Sequence, residues 1–205
     1  MNNLLYNFVR VIAFFVININ FLKPKVYNKK NTYVKEKCIV ICNHTSNWDP
    51  IILGYYIHPR NLHYLAKVEL VEKPAAQKFL LAMGIIPVAR GKSDLKAIKN
   101  AMKVLKNDEA LGIFPEGTRS HTGDLLPFEQ GVSVIALKTK TPVLPVYIHA
   151  HGYKPFHRIK INVGEKLDLC EKVGDKSNVE AINHATDLLF STMKNLREEM
   201  INEER

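Results

Sequence analysis

The 205 residues, 46% hydrophobic and 24% charged, suffice for one domain with a full core and are too apolar for a disordered chain. The formal charge of +9 points to anionic partners: nucleic acid, anionic lipid or a phosphorylated substrate. Three cysteines without framework spacing exclude a disulfide scaffold and point to a reducing compartment.

The first apolar stretch, residues 4–22, is interrupted by Asn7, Arg10, Asn18 and Asn20. Its longest unbroken run, 11–17, is far short of the ~20 residues that span a bilayer. A signal peptide fits poorly, because Met1-Asn2-Asn3 has no Lys or Arg and no small-residue cleavage site follows. Read as a helix, Leu5, Phe8, Ile12, Phe15, Ile19 and Leu22 form one stripe, with Asn3, Asn7, Arg10 and Asn18 opposite. Lys23, Lys25, Lys29 and Lys30 follow directly. A stripe followed by lysines suits a helix lying in the headgroup region of an anionic membrane; an amphipathic helix packed on the protein's own core is the alternative. Residues 1–30 are therefore expected to form an amphipathic membrane-associating helix with a basic linker, and 31–205 one folded domain.

Residues 37–42, 62–66, 85–88, 110–114 and 143–148 read as buried strands. Cys38 and Cys42 share one face of the first, with no second ligand pair behind them, and are expected to be buried, reduced thiols. Helical patterns alternate with the strands. Residues 74–83 open with a proline in the first turn. Ser93 precedes a face of Leu95, Ile98, Met102 and Leu105 as a candidate cap. Ser177-x-x-Glu180 reads as a capping box before Val179, Ile182, Thr186, Leu189, Met193 and Leu196. The alternation predicts an α/β fold, a mixed central sheet covered by helices, with ligands bound in loops that leave strand ends.

After the first strand comes Asn43-His44-Thr45-Ser46-Asn47-Trp48-Asp49-Pro50. Histidine is a general base near neutral pH when an acceptor holds its second ring nitrogen. In a turn entering a helix, Asp49 is spaced to supply that acceptor, which gives the base-and-orienter half of a triad without a protein nucleophile. Phe114-Pro115-Glu116-Gly117-Thr118-Arg119-Ser120 follows another strand; the glycine lets backbone N–H groups approach an anion, and Arg119 offers a fork matched to phosphate. Arg90, just past a third strand, is a second candidate for the same anion. Gly91-Lys92-Ser93 imitates the end of a P-loop, but Ile86 stands where its first glycine belongs. His149 and His151 lack a third metal ligand, so no metal is expected. A nucleic-acid module would need a recognition helix or aromatics interleaved with a basic stripe, and neither is evident.

In this order, Asn43-His44…Asp49, Gly84…Arg90, Phe114-Pro115-Glu116-Gly117-Thr118-Arg119-Ser120 and Thr141-Pro142-Val143-Leu144-Pro145-Val146 resemble the lysophosphatidate acyltransferase family, whose signature is Asn-His-x-x-x-x-Asp. The resemblance covers about residues 38–148. It implies direct transfer of a fatty acyl chain from acyl-CoA or acyl carrier protein to the sn-2 hydroxyl of 1-acylglycerol 3-phosphate, giving phosphatidate, with no acyl-enzyme and no cofactor. It implies that His44 is the base and Asp49 its partner. It matches Glu116 and Gly117, with Thr118 beside them, to acceptor binding, and Arg119 and Arg90 to phosphate binding. Lys67 resembles a family lysine near the site, and the segment at 143–146 an apolar wall for the acyl chain. One departure stands out: many relatives carry lysine shortly after the Pro-Phe that follows, where this chain has Glu129-Gln130 after Pro127-Phe128. An anionic membrane surface at the cytoplasmic face, with peripheral or monotopic attachment, completes the expectation, and nucleic acid is not a partner. The alternatives are another acceptor, such as glycerol 3-phosphate or a different lysolipid, and a non-catalytic basic membrane-binding protein.

Overall fold

Short apolar runs alternate with longer amphipathic ones, and they build an α/β fold around one mixed sheet. The computed structural model describes residues 1–20, 24–72, 74–89, 94–149, 158–174 and 177–202. In chain order these hold α1 (Asn3–Asn20), β1 (Lys25–Tyr27), a 3-10 turn (Lys29–Thr32), β2 (Tyr33–Val34), β3 (Ile39–Cys42), α2 (Asp49–Tyr56), β4 (His58–Pro59), β5 (Leu62–Lys67), α3 (Val68–Val71), α4 (Pro74–Ala82), β6 (Ile86–Val88), α5 (Leu95–Lys106), β7 (Ala110–Ile113), α6 (Gly131–Thr139), β8 (Val143–His149), β9 (Lys160–Val163), α7 (Leu169–Val173) and α8 (Val179–Asn202).

Seven strands pair in the order β1-β9-β8-β3-β7-β5-β6, and β2 pairs with β4 beside them. From β8 to β6 every pairing is parallel; β9 runs antiparallel to β8 and carries β1 on its outer edge. The central strand β3 is four consecutive buried residues, as a strand covered on both faces requires. Ile39, Ile41, Leu111 and Ile113 meet α5, α6 and α8 on one face, through Ala101, Leu105, Ile135, Ala136, Leu189 and Met193. Val40, Cys42, Leu144 and Val146 meet Ile52 and Leu53 of α2, and Ala13 and Ile17 of α1, on the other. Cys38 and Cys42 are buried, free thiols in this second core. Desolvation pushes the Cys38 thiol up to about 12 and Cys42 well above its ordinary value, so both stay protonated and unreactive.

Helix α1 turns two apolar faces outward and inward. Phe8, Ile12, Phe15 and Ile19 of the stripe read from the sequence are 62%, 47%, 56% and 65% exposed. Tyr6, Ala13 and Ile17, with half-buried Arg10, form the opposite face and pack on α2. Arg10 is thus not on a solvated polar face. Its guanidinium donates to Gly54 O at 3.1 Å and Ile57 O at 3.0 Å, carbonyls that the end of α2 leaves without an intrahelical partner, and to Arg60 O at 3.3 Å just past β4. The lysine-bearing segment that follows is held as well: Lys25–Tyr27 pair with Lys160–Asn162 at the sheet edge.

Two caps sit one residue past their expected places. Asp94 Oδ1 accepts from Lys96 N and Ala97 N at the start of α5, while Ser93 lies outside the described residues. At α8, Asn178 Oδ1 accepts from Ala181 N at 2.9 Å. Ala181, Ala185, Leu189, Met193, Leu196 and Met200 are the buried line of that helix, and Val179 is exposed.

Candidate active site

Adjacent strands whose chains leave toward opposite faces open a crevice at their C-terminal ends, the usual ligand position of an open α/β sheet. Here β3 and β7 are those strands. The chain leaves β3 for α2 in one core and leaves β7 for α6 in the other. His44 lies two residues past β3, and residues 114–120 directly follow β7.

The departure from β3 is arranged by Asn43, which is buried. Its Nδ2 donates to Ile148 O at 2.9 Å and its Oδ1 accepts from Ile148 N at 2.8 Å. A side-chain amide thereby takes over the ladder position on β8, and the main chain of His44 turns away from the sheet. His44 N donates to Glu116 Oε1 at 2.8 Å, and His44 O accepts from Ser120 N at 2.7 Å. The two strand-exit loops are stitched together at the histidine.

Asp49 is the first residue of α2 and is fully buried. Its Oδ2 lies 2.8 Å from His44 Nδ1 and accepts from Thr45 N at 2.7 Å and Ser46 N at 2.8 Å. With two main-chain N–H groups donating to it at the start of α2, this carboxylate oxygen acts as an acceptor. It therefore assigns the proton of the neutral imidazole to Nδ1 and leaves Nε2 as the basic nitrogen. The imidazole stacks on Phe114, centroids 4.2 Å apart at 23°, and the His44 side chain keeps 20% exposure. One edge of a buried pair faces the crevice.

Glu116 is buried, and its carboxylate is engaged by main chain: His44 N on Oε1 and Leu126 N on Oε2 at 3.0 Å. Burial pushes its carboxyl above the ordinary value, with the two N–H donors pulling the other way. Gly117 has φ +63°, a left-handed conformation that favours glycine, and its N–H closes a turn onto Phe114 O at 3.1 Å. Thr118 and Arg119 are exposed beyond that turn; an Arg119 terminal nitrogen donates to Asn47 Oδ1 at 3.0 Å, which orients the fork over the His44–Asp49 loop. Lys67 is exposed at the C-terminal end of β5, on the edge of the sheet that carries the other loops. Arg90 lies outside the described residues. The expected apolar wall, Val143, Leu144 and Val146, is instead interior: these residues sit in the body of β8 with at most 1% exposure and fill the two cores.

Several residues in the site carried no role in the sequence reading. Asn43 and Phe114 stood inside quoted motifs, but their tasks depend on β8 and on ring stacking. Tyr64 of β5 pairs with Gly112 of β7; its ring lies across that glycine and stacks on Phe114 at 6.2 Å and 13°. Glycine inside a strand pattern is the one sequence signal for such a close approach.

A protein-family profile described as Acyltransferase matches residues 23–149. The chain is 32% identical over 177 residues to a 1-acyl-sn-glycerol-3-phosphate acyltransferase of Bacillus subtilis, covering 83% of this chain and 88% of that one. To the enzyme of the same name in Borreliella burgdorferi it is 36% identical over 130 residues, 62% of this chain and 52% of that one. The crystal structure of the 1-acyl-sn-glycerophosphate (LPA) acyltransferase from Thermotoga maritima shares the fold, with a TM-score of 0.73 at 22% identity over 95% of this chain and 79% of that chain.

Proposed function

Because the chain belongs to the acyltransferase family, we propose that it moves a fatty acyl chain from acyl-CoA or acyl carrier protein to the sn-2 hydroxyl of 1-acylglycerol 3-phosphate, giving phosphatidate. The observation that carries this reading is the 2.8 Å contact of His44 Nδ1 with buried Asp49 at the strand-exit crevice. His44 Nε2 takes the proton of the acceptor hydroxyl as that oxygen attacks the thioester carbonyl carbon. Asp49 steadies the imidazolium that forms. The C–S bond then breaks, and the departing thiolate recovers the proton from His44, so the enzyme ends as it began without having carried the acyl group.

Arg119, presented at the mouth of the crevice and steadied by Asn47, is suited to the acceptor phosphate, with Arg90 as its expected second cation and Lys67 nearby. Gly117 and Thr118 shape the turn that presents it. Glu116 serves acceptor binding through the loop it clamps, since both of its oxygens accept main-chain bonds. The acceptor is itself a lipid, and the exposed stripe of α1 together with exposed Lys25, Lys29 and Lys30 supports peripheral attachment to the cytoplasmic face of an anionic membrane. Among the described residues no helix is long and apolar enough to cross a membrane.

The test is direct. Purified protein is incubated with lysophosphatidate and either acyl-CoA or acyl carrier protein, and phosphatidate is measured beside glycerol 3-phosphate and other lysolipids as acceptors. His44→Ala should lose about 10²–10⁴-fold in turnover with the fold intact. A folded variant with near-normal activity would overturn the mechanism.

A further inference from the structure

One buried cluster is left over by the chemistry above, and it grips α2 along its whole length. Near the first turn, Tyr64 OH donates to Pro50 O at 2.9 Å, one residue past Asp49. At the middle, Gly54 has no side chain; a Cβ there would meet Tyr6 OH at 2.8 Å and Tyr64 OH at 3.2 Å. Both hydroxyls thus close on the same glycine from two elements, and Leu62 N donates to Tyr6 OH at 3.2 Å. At the far end Arg10 holds Gly54 O, Ile57 O and Arg60 O, with its guanidinium 5.4 Å from the Tyr6 ring.

These residues serve more than packing, because of what the two ends of the cluster touch. The Tyr64 ring supports Phe114, and Phe114 supports the His44 imidazole, while the Tyr64 hydroxyl holds the carbonyl beside Asp49. One side chain thus sets both partners of the 2.8 Å contact relative to each other. Tyr6 and Arg10 extend that hold into α1, whose other face carries Phe8, Ile12, Phe15 and Ile19. A rigid helix eight residues long transmits a tilt at its C-terminal end to the carboxylate at its first residue.

We propose that Tyr64 is a positioning residue for the His44–Asp49 pair and that α1, through Tyr6 and Arg10, braces the same helix. The N-terminal helix is then part of the catalytic apparatus as well as a surface contact. This inference rests on the reading of His44 as the base and Asp49 as its partner.

The test uses the full chain without membranes, on a short-chain, water-soluble lysophosphatidate, so that lipid attachment does not enter. Tyr64→Phe keeps the ring and removes the hydroxyl; Arg10→Met keeps the stem and removes the fork; Arg10→Lys keeps the charge. Melting temperature, kcat, acceptor KM and the pH profile of kcat are measured for each. Misplacing catalytic groups lowers turnover at unchanged binding, so Tyr64→Phe and Arg10→Met should lose about tenfold or more in kcat with KM within about twofold. Arg10→Lys should fall between them and the wild type. The pH profile of kcat should change in the same sense in Tyr64→Phe, Arg10→Met and Asp49→Asn, because all three disturb one contact. Turnover that merely follows the folded fraction, with superimposable pH profiles, would make the cluster structural only and overturn the inference. A raised KM at full kcat would overturn it too. Each of those results leaves the base mechanism standing if His44→Ala is inactive; a folded, active His44→Ala variant removes the mechanism itself.

Discussion

Replacing Asn43 with alanine tests the junction on which the site depends. In the wild type one buried amide satisfies both Ile148 N and Ile148 O. The variant leaves a buried donor and a buried acceptor without it, at about 1–3 kcal/mol each. Water entering at the strand end offsets part of that sum, and a loss of about 2–4 kcal/mol is expected. For a domain of this size 1 kcal/mol corresponds to roughly 2–4 °C, so the melting temperature should fall by about 4–16 °C. Asn43→Asp should do no better at neutral pH, because a second carboxylate oxygen would then face Ile148 O where an N–H donor stood. Thermal and urea unfolding measure the loss, with the single tryptophan, Trp48, reporting from the adjoining loop. An alanine variant that melts within a degree of wild type would refute the view that this amide completes the β3–β8 ladder.

Arg119→Ala should cost about 1.5–3 kcal/mol toward lysophosphatidate, Arg119→Lys should remain impaired, and preference over monoacylglycerol should shrink in both; an unchanged preference places the phosphate elsewhere. Phe8→Asp with Phe15→Asp should abolish sedimentation with anionic liposomes, and wild-type binding should weaken as salt rises. Paired substitutions are the sharper test than removal of residues 1–22, which would also strip Tyr6, Ala13 and Ile17 from the core. Salt-insensitive binding to neutral liposomes that survives them would put the contact on another surface. Glu116 titrates above its ordinary value because of burial, so its folded pKa lies above the unfolded one. Its contribution to stability is therefore present at acid pH and declines as pH rises from the unfolded value through the folded one. Glu116→Gln removes that decline, so wild-type stability, measured by denaturant unfolding, should fall relative to the variant as pH rises past the ordinary carboxyl range; a difference independent of pH would count against the shift.

Signals carried by a single segment were legible in the sequence. The five buried strands, the helices at α1, α4, α5 and α8, and the five-residue spacing of His44 and Asp49 each depend on local pattern. What depends on a distant partner was not. β9 and β1 are four and three residues long and exist through their pairing with β8 and with each other. Arg10 read as a polar-face residue because its acceptors, the carbonyls of residues 54, 57 and 60, are more than forty positions away. The clamp at Glu116 was not legible either, because no spacing rule shows that Leu126 N and His44 N close on its two oxygens. The two capping errors have a different origin: neighbouring Asp94 and Asn178 are strong caps, and a one-residue shift is within what pattern alone resolves.

The ring from His44 to Asp49 closes where the Asp49 carboxylate is met by main-chain N–H groups at 45 and 46, while the Ser46 side chain adds one bond of its own, its Oγ accepting from Trp48 N at 3.2 Å. A combinatorial library at position 45 should therefore yield many active clones, so long as proline, which lacks the N–H, is left out, and at position 46 the clones that keep a short acceptor for Trp48 N should be favoured. Insertion or deletion of one residue between 44 and 49 should yield none, because the closed ring has a fixed circumference. Tolerance of content with intolerance of length is how such a loop would drift: its letters change while the count between histidine and aspartate stays the same.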